Sequence, residues 1–61
     1  MKFSDLQIAD LFELDNNLHQ KLTEENNTNA YNLTQGCFVF VKDETEIIPK
    51  SKRLINPRYS K

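Results

Sequence analysis

Two side chains in this 61-residue chain could act as a base or a nucleophile, His19 and Cys37. Histidine titrates near neutral pH without perturbation, and a thiolate attacks electrophiles readily. Each stands alone here. No nucleophile or carboxylate lies at a spacing that would make His19 a general base. A reactive thiol needs cationic neighbours, and the residues around Cys37 are apolar. We therefore read His19 as a solvated side chain beside Lys21 on the polar face of a strand, and Cys37 as a small buried hydrophobe. One cysteine excludes an internal disulfide, and one cysteine with one histidine falls short of the four ligands of a structural zinc site. The sequence points to no enzyme, no cofactor and no metal.

The charged residues offer binding chemistry instead. Acids cluster as Glu24 with Glu25 and as Asp43 with Glu44 and Glu46. The second group lacks the D-x-D-x-D-G run of a calcium loop and reads as a solvated hairpin tip. Asp43, Glu44 and Glu46, with the edge around Lys21, are the candidate contacts for a protein partner. The C-terminal stretch "PKSKRLINPRYSK" carries Lys50, Lys52, Arg53, Arg58 and Lys61 with Tyr59 between them. Such bases neutralise phosphates while a ring stacks on a nucleobase, which makes nucleic acid the alternative partner. A plain solubilising tail, or one pinned to the body by Leu54 and Ile55, competes with that reading. Residues 1–46 hold three lysines against nine acids, net −6, and residues 47–61 hold five bases and no acid, net +5. A body of that sign attracts its own tail and repels nucleic acid, so the protein partner comes first.

These residues need elements to position them. A chain of this length forms one domain and buries only about 60% of its unfolded surface. The reading divides it into a small domain over 1–49 and a basic tail over 50–61. The first third fits two patterns. Ser4 and Gln7 form a capping box, and Ile8, Leu11, Leu14, Leu18 and Leu22 recur at helical spacing, giving a helix over about 5–22. Equally, Phe12 and Leu14 alternate with Glu13, Leu18, Gln20 and Leu22 alternate with His19 and Lys21, and "DNN" marks a turn between two strands. Beyond it, "EENNTN" reads as a polar loop, "AYNL" as a strand, and "TQG" as a tight turn in which Gly36 takes positive φ. "CFVFV" is aromatic and β-branched, which suits a strand. "KDET" turns the chain into "EII", which stops at Pro49. We read Phe38, Val39, Phe40 and Val41 as core, with one alternating pair exposed enough to join two copies as a homodimer.

The motifs F-x-D-L-x-x-x-D-x-F (Phe3, Asp5, Leu6, Asp10, Phe12), A-x-N-L-x-x-G (Ala30, Asn32, Leu33, Gly36) and E-I-I-P (Glu46 to Pro49) resemble a family of very small, uncharacterised bacterial and phage β-domain proteins. The likeness spans about residues 3–49. It implies an all-β meander and brings no established activity. Ala9 stands where that family's pattern places a glycine, and a turn needing positive φ there would strain an alanine. The resemblance favours strands over the helix. The expected fold is a single five-stranded, highly curved sheet, a small SH3-like barrel. The alternative is an α+β fold, with a helix over about 5–22 on a three-stranded sheet. The expected function is a non-enzymatic, protein-binding interaction module of bacterial or phage origin. Asp5 and Asp10 interrupt what would be the apolar region of a signal peptide, and no run approaches the roughly 18 apolar residues of a membrane span. The expected location is the cytoplasm, away from membranes, so the N-x-T sequons at Asn26 and Asn32 are read as chance matches.

Overall fold

A computed structural model describes residues 1–50. After a short 3-10 turn (Phe3–Asp5) the chain forms five strands: β1 (Leu11–Leu14), β2 (Asn17–Glu25), β3 (Thr28–Asn32), β4 (Cys37–Val39) and β5 (Ile48–Pro49). The all-β reading holds, and no helix runs over 5–22.

Two-residue turns make the first two hairpins. Asp15 and Asn16, then Asn26 and Asn27, all take positive φ, the conformation whose twist matches antiparallel strands. Asn and Asp tolerate it because their short side chains bond locally. The expected loop over 24–29 thus shrinks to Asn26 and Asn27, and Glu25 pairs with Thr28 across it. The third hairpin turns through Gly36 at φ +74°, with the Gln35 N–H donating to Asn32 Oδ1 at 2.9 Å.

The strand order is β4-β3-β2-β1-β5. Strands β1 to β4 form the expected meander, but β5 returns beside β1 instead of following β4. The sheet is open and not closed into a barrel: β4 and β5 are its two edges. The segment between them crosses one face together with the N-terminal residues. Phe3 N–H donates to Thr45 O (2.9 Å), Ser4 N–H to Asp43 O (3.0 Å) and Ile47 N–H to Met1 O (2.8 Å). This cover supplies Phe3, Leu6, Val41 and Ile47 to a core completed by Phe12 and Ala30, with Leu14 and Val39 packed against it. Phe3 meets Phe12 edge-on at 5.4 Å.

Strand β2 turns the opposite way from the sequence reading. His19 and Lys21, not the leucines, face the cover. The His19 ring stacks on Phe12 at 5.0 Å and is 4% exposed, its Nδ1 lying 3.0 Å from Asn17 O. The Lys21 ammonium donates to Phe3 O (3.1 Å) and Leu6 O (2.8 Å) and lies 4.6 Å from the Phe3 ring centroid. Polar groups are tolerated inside when hydrogen-bonded, and this strand follows that rule. The cost appears outside, where Leu18 is turned toward solvent.

Candidate functional site

Residues paired across an antiparallel sheet share a face, so the register defines what the uncovered side carries. One row runs Leu11, Gln20, Tyr31, Phe38 across four strands. The next holds Ile48, Glu13 and Leu18, and Leu33 joins it by donating its N–H to Leu18 O at 2.7 Å. Ile48, Leu18, Leu33 and Phe38 are all exposed. Phe38 lies edge-on to Tyr31 at 4.9 Å and borders a groove of about 410 Å³ with Leu22 and Thr28.

The segment "CFVFV" therefore divides by alternation: Phe38 and Phe40 are the exposed pair, and the readings of those two rings as core and of Cys37 as buried are corrected. Phe38 is 62% exposed and Phe40 53%, whereas Val41 is buried and Val39 is half-buried. Cys37 is exposed as well. The reason is topological: with β5 lying beside β1, nothing among the described residues pairs with the outer side of β4.

Hydrogen-bond parity shows which backbone groups that edge presents. Leu33 N–H bonds Leu18 O and Lys21 N–H bonds Asp10 O (2.9 Å), so even residues of β2 point toward β3 and odd ones toward β1. Tyr31 then points toward β2, and Ala30 and Asn32 toward β4. Across from them, Cys37 and Val39 point inward to β3. Val41 continues that parity, its N–H donating to Asn29 Oδ1 and its carbonyl accepting from Asn29 Nδ2, both at 2.8 Å. The intervening Phe38 and Phe40 therefore direct their N–H and C=O groups outward, unpaired among the described residues. No charge lies between Gly36 and Val41.

The residues singled out from sequence do not gather into one site. Asp43 and Glu44 are exposed on the turn whose Thr45 N–H reaches Lys42 O (3.1 Å), just past the β4 edge. Glu46 lies 3.2 Å from the Met1 ammonium. Lys21 is across the sheet, with its ammonium held by Phe3 O and Leu6 O. Of the nucleic-acid candidates, Lys50 is ion-paired with Glu13 at 3.1 Å, and Lys52, Arg53, Arg58, Tyr59 and Lys61 lie outside the described residues. A second cavity of about 500 Å³ has His19 and Asn32 in its lining, with the Phe40 and Val41 segment at its rim. Among the described residues no three His, Cys, Asp or Glu side chains gather as metal ligands, and no helix is long and apolar enough to cross a membrane.

Sequence reasoning expected one alternating pair of this segment to be exposed but did not say which, because strand order and the covered face are not local properties. The only local signal was the absence of a charge or proline within the strand, which edge strands ordinarily carry. Comparison with family models, with curated proteins and with solved structures finds no match for this chain.

Proposed function

We propose that this chain is a non-enzymatic protein-interaction module that takes up an extended polypeptide along the β4 edge. The observation that carries this reading is the outward backbone of Phe38 and Phe40, set in an uncharged segment with both rings exposed. Strand addition obtains its affinity from main-chain hydrogen bonds and its selectivity from alternating side chains. Here Phe38, Tyr31 and the Leu22 groove supply the apolar contact. Asp43 and Glu44, which follow the edge directly, form a charged rim outside the paired residues.

The test is capture on three immobilised forms of the full chain. These are wild type, a Phe38→Lys/Phe40→Lys edge variant, and a variant with Lys50, Lys52, Arg53, Arg58 and Lys61 changed to Glu. The reading expects one polypeptide held by wild type and the tail variant and lost from the edge variant. In that complex the Phe38 and Phe40 amides should be protected from hydrogen exchange. Equal capture by wild type and the edge variant would sink it. Retention of nucleic acid that disappears only with the tail variant would put the alternative partner first.

A further inference from the structure

Resting on that reading, we propose that the strand received by the β4 edge is β4 of a second copy, placed antiparallel about a two-fold axis at Val39. The parity derived above is self-complementary in this register. Phe38 faces the partner's Phe40 and Phe40 faces the partner's Phe38. Each pair exchanges two N–H to C=O bonds, so four backbone bonds form while Val39 opposes Val39 in a non-hydrogen-bonded pair. A register shifted by one residue would set outward groups against residues whose groups point back to β3.

The side chains agree with the backbone. Lys42 falls opposite Gly36 and Asp43 opposite Gln35, so no like charges meet. Aromatic pairs across strands favour the join, and the sheet continues from one copy into the next with Phe38 beside Tyr31 in each.

The same fold decides that the assembly stops at two. At the other edge, Lys50 N–H bonds Leu11 O (2.9 Å) and Ile48 pairs with Glu13, so Pro49 occupies the outward position and has no N–H to offer. An isologous contact through β4 alone closes a dimer. The contact strand, Cys37–Val39, is short and makes a small interface, so the dimer forms at high concentration.

Sedimentation of the full chain under reducing conditions, from about 10 µM to about 1 mM, should show a monomer passing to a dimer. Phe38→Lys should weaken it at least about tenfold. In a Cys37→Ser/Val39→Cys chain, mild oxidation should link two copies, because a non-hydrogen-bonded pair brings Cα atoms to about 4.5 Å, within disulfide range. Native Cys37, opposite the partner's Val41 in this register, should link far less. A chain monomeric throughout, a dimer indifferent to Phe38→Lys, or equal linking at positions 37 and 39 would overturn the proposal. A synthetic peptide copying residues 36–42, with Ser for Cys37, separates the two failures. If the chain stays monomeric while this peptide shifts the Phe38 and Phe40 amides, the dimer is wrong and the docking edge stands. If neither the chain nor the peptide engages the edge, the dimer is wrong, and the docking edge is decided by the capture experiment above.

Discussion

At one edge of the sheet, β5 presents two residues, its outward position is a proline, and its end is held by Lys50 through Leu11 O and Glu13. At the other, Phe38 of β4 and Phe40 just beyond it turn their backbone N–H and C=O groups outward, unpaired among the described residues, with no charge until Lys42. Natural sheets blunt their edges with proline, lysine and short strands, since an open edge templates pairing with another chain. Both strands are short, but among the described residues only β5 carries a proline at its outward position. The difference teaches that two edges of one sheet can be guarded unequally: among the 50 described residues a proline stands at the outward position of β5, and none stands at β4.

The sharpest way to break this contrast is to exchange the burden of the aromatics on the two faces. Phe12 is fully buried between Phe3 and His19. Phe12→Ala should cost about 3–5 kcal/mol, comparable with the whole stability of roughly 3–9 kcal/mol expected at this length, so urea titration should find the variant largely unfolded. Phe38→Ala, which loses one edge-on contact with Tyr31, should cost about 1 kcal/mol. Equal losses would mean that the β4 face is core after all.

A smaller effect tests the cover that closes the β1 side. Lys21→Met keeps the stem but removes the ammonium that the Phe3 and Leu6 carbonyls accept from, leaving Phe3 O only the Leu6 N–H at 3.1 Å, and should cost about 2 kcal/mol. Lys2→Met, on an exposed side chain, should change stability by less than about 0.5 kcal/mol. If chemical denaturation gives the two lysines equal weight, the Lys21 hydrogen bonds do not hold the cover.

These residues also mark how far the sequence could be read. Two turns were legible because their chemistry is local: Asp15 and Asn16, and Gly36, stand where the backbone takes positive φ, whereas the Asn26-Asn27 turn was read as a longer loop over 24–29. The β1 strand was legible only with the family resemblance, since the local pattern equally allowed a helix over about 5–22. The inward face of β2 was not. Alternation defines two faces without saying which is covered, and the choice rests on carbonyls of Phe3 and Leu6, more than a dozen residues away. Strand order was equally hidden. Nothing in "EII" says that it pairs with β1, so β4 as an edge could not be inferred, and alternation gave only that one pair among Phe38, Val39, Phe40 and Val41 would be exposed.

Ala9 offers a prediction of opposite sign. Its φ of +82° is the conformation a glycine would adopt freely, and it is held there by Ala9 N–H to Lys21 O at 2.7 Å. Left-handed backbone costs an L-residue roughly 1–2 kcal/mol, part of which glycine returns through its looser unfolded chain. Ala9→Gly should therefore raise stability by about 1 kcal/mol, read as a higher denaturation midpoint with unchanged slope. A loss of stability would show that the alanine side chain makes contacts worth more than the strain.

The smallest change in stability belongs to the edge that is already blunt. Pro49→Val supplies the missing outward N–H and a side chain suited to a strand, while the unfolded chain regains freedom that proline denied it. The two effects oppose, and stability should move by less than about 0.5 kcal/mol. Assembly is where the variant should differ. With β5 open as well as β4, one copy can pair β4 with the next copy's β5, and such a heterologous contact does not close on itself. Sedimentation should then show species beyond the dimer at concentrations where wild type shows none. If the distribution is unchanged, proline is not what guards β5. Its length of two residues is then sufficient, and the asymmetry between the edges reduces to how many outward residues each one offers.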